Sequence, residues 1–419
     1  MPTDWNNASW LARPAVPQGE RPASRSLRLA VSRETRVPVV LHARVVAGSG
    51  GGPDKTILRS ARHIDPSRYT VAAAYLHPRG DRSLGLIRDM AATTGCTLHQ
   101  IEESGAVDLG AVRELLNLVR QLQPTIWHAH DYKSDVLGLM LRQFWPMKLV
   151  TTVHGFTRET RRTRLYARID DLTLPRYDRV IAVSRDLEEH CRRVGVARVR
   201  LTYVPNAIDA DAMRRGSDPA AAKAKLGLAP RQLVMGCVGR LSKEKGVGRA
   251  IRTLARLAKA VPALTLHLVG DGPDRRRLEA MTRQLKLDDR VRFHGWQADT
   301  RPWYEAMDLL LLPSRTEGMP NTVLEAMAMG VPVAATDVGG VADLLDHGRC
   351  GTLLTQDERT WAAPLLGLLS DAAGRAATAA AARRRVESLY TYDQRFRRVM
   401  AIYDDLLRLP RQQVRRLAA

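Results

Sequence analysis

Residues 308–328 read DLLLLPSRTEGMPNTVLEAMA. The leucine run is short and apolar throughout, the signature of a strand covered on both faces. Pro320 suits the first turn of a helix, where its missing N–H is no loss. The segment is therefore strand, loop, helix, with Glu317 in the loop and Glu325 within the helix. Seven residues separate the two carboxylates. At a 1.5 Å rise per residue that is up to about 12 Å, too far for an acid/base pair and suited to gripping two ends of one ligand. The N–H groups present within residues 319–323 at the helix start add donors for an anion held between them.

The same unit recurs along the chain. Apolar runs at 37–46, 70–76, 125–130, 148–153, 179–183 and 200–204 alternate with helix-like stretches at 53–63, 84–94, 109–122, 133–144, 160–174 and 185–194. After a linker at 207–230 with one short helix, strand candidates follow at 233–238, 264–269, 290–293, 308–312, 332–335 and 352–354. Such alternation builds parallel sheets with helices on both faces. The expected fold is α/β, with two consecutive doubly wound, Rossmann-like domains. Residues 1–36, rich in Pro, Ser, Asn and Arg, read as a mobile tail; 37–206 form the first domain and 207–390 the second. A helix within 391–410 closes the fold, ahead of a basic tail at 411–419. Ligands of such sheets collect beyond the carboxyl ends of the strands.

Composition agrees. The 419 residues are 45% hydrophobic, enough for packed cores, which excludes a disordered, collagen-like or disulfide-stapled chain. No apolar run approaches the roughly 18 residues of a membrane span, and the first residues lack the apolar stretch of a secretory signal. A cytoplasmic protein is expected. Cys96, Cys191, Cys237 and Cys350 have no ligand or nucleophile spacing and read as buried thiols. The odd quantity is a net charge of +21, spread through every part of the chain. It points to an anionic substrate, a polyanion or an acidic membrane surface. The densest cluster is Arg158, Arg161, Arg162, Arg164 and Arg168.

Several strand ends carry chemistry. Gly48–Thr56, GSGGGPDKT, opens a helix and lets backbone approach a phosphate or sugar, but Asp54 spoils the P-loop and no GxGxxG is present. In His128-Ala129-His130-Asp131 the two histidines share a face, a geometry open to zinc with His154 as a third ligand. Nothing supplies a fourth ligand, so cleft-lining or packing histidines are expected and no metal. His154-Gly155 ends the next strand. Gly239–Gly246, GRLSKEKG, places Arg240 and Lys245 where a diphosphate needs fixed cations. Val269–Pro273, VGDGP, is a tight turn, and Phe293–Trp296, FHGW, offers aromatic contacts for a nucleobase. Asp209-Ala210-Asp211 mimics a metal–nucleotide DxD signature, but lies in the linker rather than at a strand end.

In that order these motifs, with EGMPNTVLE (317–325) and GVPVAATDVGG (330–340), resemble the retaining GT-B-fold glycosyltransferases of family 4 across about residues 37–410. GGPDKTIL and HAHDYKSD are similar to bacterial members that build exopolysaccharides or other surface glycans. The resemblance implies a peripheral, metal-independent hexosyl- or related sugar transferase that needs no cofactor. Its donor would be a UDP- or GDP-linked sugar, its acceptor a glycan or lipid-linked glycan. Gly51 and Gly52 would approach the donor, Arg240 and Lys245 hold its diphosphate, Glu317 orient the sugar and Glu325 the ribose. Gly318, Met319, Asn321, Thr322 and Val323 would complete the donor site, Trp296 contact the base, and His154 face the reacting sugar. Two departures stand out. Gly318-Met319-Pro320-Asn321 replaces the usual Gly-Phe-Gly-hydrophobic-Pro, leaving the donor hexose unreadable, and Ala207 replaces the glycine after Pro205-Asn206. A GT-B sugar-nucleotide epimerase and a basic polyanion-binding protein are the alternatives. The first is disfavoured by the Arg240/Lys245/Glu317/Glu325 set, the second by the absence of a nucleic-acid-binding module. Arg158, Arg161, Arg164 and Arg168 are expected to meet the acceptor or the anionic inner face of the cytoplasmic membrane.

Overall fold

The computed structural model describes residues 37–46, 50–81, 84–105, 108–155 and 161–408. Among them, two all-parallel sheets follow one another. The first holds β1 (Val39–Val45), β2 (Thr70–Pro78), β3 (Thr97–Glu103), β4 (Ile126–Ala129), β5 (Lys148–Val153), β6 (Arg179–Ala182) and β7 (Leu201–Tyr203), in spatial order β3-β2-β1-β4-β5-β6-β7. The second holds β8 (Leu233–Val238), β9 (Leu264–Val269), β10 (Val291–Gly295), β11 (Leu309–Leu312), β12 (Val333–Thr336) and β13 (Thr352–Leu354), in order β10-β9-β8-β11-β12-β13. Each order reverses once, between β1 and β4 and between β8 and β11. There the loops diverge and leave a crevice at the strand ends.

The central strands carry apolar side chains on both faces because helices cover both. All four residues of β4 and of β11 are buried. At the edge the rule relaxes. β3, TLHQIEE, pairs on one side alone and exposes much of its length, so its polar composition hid it from a search for apolar runs. The helix-forming stretch 357–388 is also two helices, Ala362–Ser370 and Ala372–Leu389, because Asp371 caps the second by accepting from the Gly374 N–H at 2.8 Å.

The helix Tyr392–Leu407 lies on the first sheet, where Phe396, Val399, Ile402 and Tyr403 pack with Val40, Ile126, Val150 and Ile181. Arg395 of this helix is buried and donates to the carbonyls of Val204 and Pro205. Burial without a carboxylate pushes its guanidinium down to about 10. The four cysteines are free and buried. No helix among the described residues is long and apolar enough to cross a membrane.

Candidate active site

The loops after β4 and β5 face the loops after β8 and β11 across a cavity of about 450 Å³, lined by His130, Asp131 and His154 on one side and Lys245, Glu317 and Gly318 on the other. Two backbone contacts bring Lys245 onto Glu317. The Arg315 N–H donates to the Glu244 carbonyl at 2.7 Å. Gly246, with φ of +62°, presses so close to Pro313 that a Cβ would strike its carbonyl oxygen. Lys245 Nζ then reaches both Glu317 oxygens, at 2.8 and 2.9 Å, and Ser314 Oγ donates to Oε1 at 2.6 Å. Arg240 stands exposed at the end of β8, and no ion pair involves it among the described residues.

Glu325 is buried on the helix Asn321–Ala328, with Tyr304 Oη donating to Oε2 at 2.9 Å. Its other oxygen accepts from Lys55 Nζ at 2.8 Å. Lys55 belongs to the helix Gly52–His63 beside β1, so this ion pair helps tie the two halves, and the carboxylate raises the lysine's pKa. Sequence reading gave Lys55 no role, since its partner is 270 residues away.

The geometry corrects several details. The Val323 N–H donates to the Pro320 carbonyl at 3.2 Å and is not a vacant anion donor; Asn321 and Thr322 retain that possibility among the described residues. The Met319 side chain is buried away from the cavity, its Sδ accepting from the Asn206 N–H at 3.0 Å and its carbonyl from Asn206 Nδ2 at 3.0 Å. Met319 therefore packs the strand-to-linker turn. The Gly51 N–H donates to Asp54 Oδ2 at 2.6 Å, and Asp54 pairs with Arg44 at 2.6 Å, so this loop folds on itself. Gly52 crowds Asn321, and Gly318 lies so close to the His154 carbonyl that neither position has room for a Cβ. Trp296 is 53% exposed, outside the cavity. Asp209 of the decoy motif pairs with Arg59 at 2.8 Å.

His154 is not isolated. Its Nε2 lies 3.0 Å from His130 Nδ1, and His130 Nε2 lies 2.9 Å from His42 Nδ1. His128 stands beside them, between Tyr403 Oη at 2.6 Å and Thr152 Oγ1 at 2.8 Å. Burial pushes all four imidazoles well below their ordinary range, His42 to about 3. Sequence reading missed His42, which enters because β1 pairs with β4 in the register that places it beside His128.

The first-sheet wall also carries residues unnoticed in the sequence. Asp135 and Asp170 line the cavity, and burial, helped by the Asp131 charge at Asp135 and by Asp135 at Asp170, raises both above the ordinary carboxylate range. Tyr132 and Tyr166 stack beside them, ring centroids 4.1 Å apart. Tyr166 and Asp170 lie on the helix Arg161–Thr173, whose outer side exposes Arg164, Arg168, Leu165 (55%) and Leu172 (65%). Arg158 and the Arg161 side chain lie outside the described residues.

Comparison with known proteins agrees with this geometry. Residues 50–212 match the family model for Glycosyltransferase Family 4, and 232–371 that for Glycosyl transferases group 1. The lipopolysaccharide core biosynthesis mannosyltransferase LpsB of Rhizobium meliloti is 30% identical over 293 residues, 68% of this chain and 80% of that protein. A D-inositol 3-phosphate glycosyltransferase of Nocardia farcinica is 28% identical over 360 residues, 77% of this chain and 78% of its own. In fold, HepE of Anabaena, solved with UDP and glucose, superposes with a TM-score of 0.75 at 21% identity, covering 88% of this chain and all of that one. The two parallel sheets, the loops that meet at their switch points and the match to LpsB together show that this chain belongs to the GT-B glycosyltransferases of family 4.

Proposed function

We propose that the chain is a retaining transferase that moves a sugar from a UDP- or GDP-linked donor to a glycan or lipid-linked acceptor in bacterial surface-polysaccharide synthesis. The observation that carries this is the pairing of Lys245 with Glu317 at the cavity, with Glu325 set farther along the same loop and helix. In the reading that follows, residues 207–390 hold the donor: ribose on Glu325, diphosphate beside Arg240 and Lys245, sugar hydroxyls on Glu317. Breaking the bond from the anomeric carbon to the diphosphate oxygen leaves negative charge on the diphosphate, and fixed cations stabilise it. That function needs no metal when Arg240, Lys245 and the first N–H groups of the Asn321–Ala328 helix surround the leaving group. Residues 37–206 take the acceptor, whose sugar enters between His154 and the wall of Asp135, Asp170, Tyr132 and Tyr166.

A thermal-shift screen with UDP, GDP and ADP tests the donor site. One of them stabilises the wild type, and Arg240→Ala or Lys245→Ala removes most of the shift. Tight, salt-sensitive DNA binding with no nucleotide response would instead favour the polyanion-binding alternative.

The outer side of the helix Arg161–Thr173 fits the remaining charge. Exposed leucines beside arginines suit the interface of an anionic bilayer, which would hold the protein on the inner face of the cytoplasmic membrane near a lipid-linked acceptor. The expected result is sedimentation with vesicles rich in phosphatidylglycerol, reduced at least fivefold by Arg164→Glu with Arg168→Glu. Sedimentation unchanged by that pair denies the surface.

A further inference from the structure

Ser60, His42, His130 and His154 form one line of hydrogen bonds running from beneath β1 to the cavity. Ser60 Oγ meets His42 Nε2 at 3.4 Å, His42 Nδ1 meets His130 Nε2 at 2.9 Å, and His130 Nδ1 meets His154 Nε2 at 3.0 Å. Each contact holds one proton, so the direction of the line follows from its ends. Ser60 has a single O–H and donates it to the Ile57 carbonyl at 2.5 Å. Toward His42 it can therefore only accept.

His42 then carries its proton on Nε2 and offers the Nδ1 lone pair to His130. His130 repeats the arrangement, accepting at Nδ1 from His154 Nε2–H. One ring nitrogen of the line has no partner among the described residues, His154 Nδ1, and in this direction it holds a lone pair. Reversing the line would place an N–H there, buried and unpaired. A buried donor left without a partner bears its full desolvation cost, and such orphans are rarer than under-satisfied acceptors. The reversed line would also ask Ser60 for a second proton.

The surroundings keep the line neutral. Arg44 of β1 and Arg395 of the helix Tyr392–Leu407 are the cations that bear on these rings, with His128 against them. An added proton would create an imidazolium beside those charges, on rings whose nitrogens are turned away from water. Asp131, which caps the helix after β4, has its oxygens on backbone N–H groups of Val45, Lys133 and Ser134. A metal ion fits less well. Ligand atoms of His42, His128 and His130 lie within 4.8 Å of one another, but both nitrogens of His128 are already hydrogen-bonded. Two nitrogens bound at about 2.0–2.1 Å to a tetrahedral zinc lie farther apart than those of His42 and His130.

We propose that Ser60, His42 and His130 are positioning residues that lock His154 as the neutral Nε2–H tautomer, so that its ring is set in one orientation during sugar transfer and serves neither as general acid nor as imidazolium. The kinetic half of this inference rests on the reading that His154 faces the reacting sugar; the tautomer itself does not.

Long-range ¹H–¹⁵N spectra of imidazole-labelled protein at pH 7 test it. His42, His130 and His154 each show a pyrrole-type Nε2 and a pyridine-type Nδ1. A protonated Nδ1 or an imidazolium at His154 overturns the proposal. The kinetic counterpart uses His42→Leu and His42→Asn with the UDP- or GDP-hexose that the wild type turns over. Leucine removes the acceptor for His130 Nε2–H, so His154 shows mixed tautomers and kcat falls about tenfold with donor KM nearly unchanged. Asparagine supplies an oxygen for that bond and restores kcat to within about threefold. A single Nε2–H tautomer with full kcat in His42→Leu contradicts the lock, and the wild-type spectra decide the matter if that variant fails to fold. Full turnover in His154→Ala removes the sugar-facing reading while leaving the tautomer assignment standing.

Discussion

Glu317→Ala lowers sugar transfer by about a thousandfold and leaves a folded protein. The carboxylate does two things at once: it is the group placed to orient donor hydroxyls, and it holds Lys245 through two contacts of 2.8 and 2.9 Å. Removing one preorganised electrostatic partner from an active site costs about 10²–10³ in rate, and here the lysine is released as well. The stability cost is smaller. Lys245 is partly exposed and finds water, so its half of the pair contributes little. Ser314, fully buried, loses the acceptor of its hydroxyl at 2.6 Å, worth about 1–3 kcal/mol. A domain with 5–15 kcal/mol in hand remains folded. Glu317→Gln, which keeps an acceptor for Ser314 but no charge, separates the two effects: stability returns and activity does not. Near-normal turnover in either variant, measured as release of nucleoside diphosphate, shows the site to be misassigned.

The second large effect is a loss of stability in mild acid. His42, His128, His130 and His154 have folded pKa values below the unfolded value of about 6.5, chiefly through burial and secondarily through Arg395, Arg44 and one another. The unfolded chain therefore binds more protons. Stability from these groups is fully present above pH 6.5 and is lost as pH falls from there toward the folded values, His42's being about 3. Four such groups cost about 5 kcal/mol per pH unit once the unfolded histidines are charged. Asp135 and Asp170 act in the opposite sense. Their raised values mean that the folded state keeps protons that unfolded carboxylates release, so their contribution is lost as pH rises through neutrality and offsets up to half of the histidine effect above about pH 4. For these six groups together the expected net slope between pH 6 and pH 4 is on the order of 3 kcal/mol per unit while the folded imidazoles stay neutral. Urea unfolding at pH 7, 6, 5 and 4 measures it. A flat profile contradicts the buried neutral cluster.

The parts legible from sequence are those in which one segment carries its own signal. β4, β5, β8, β9 and β11 are runs buried on both faces, and their boundaries fall within a residue or two of expectation. Strand-end loops concentrate glycine, proline and charge, so Lys245, Glu317 and His154 were identifiable and the cavity brings them together. What escaped depends on pairing. His42 sits mid-strand in an apolar run, and the β1–β4 register alone makes it a neighbour of His128. Lys55 and Glu325 meet only when the two halves close. Asp170 reads as one more charge on a basic helix until that helix turns its inner side to Asp135. Met319 was expected in the donor site because the resemblance places the residues after the first glutamate there, but thioether and carbonyl alike are taken by Asn206.

The most direct measurement is proton NMR of the anomeric centre through a reaction time course. The wild-type chain is mixed with UDP- and GDP-linked α-hexoses and a delipidated glycan acceptor from a Gram-negative envelope. The account predicts that one donor is consumed, that nucleoside diphosphate appears in equal amount, and that the new linkage keeps the α-configuration, with none of this in Glu317→Ala. A β-linked product, or consumption that survives in that variant, would contradict it.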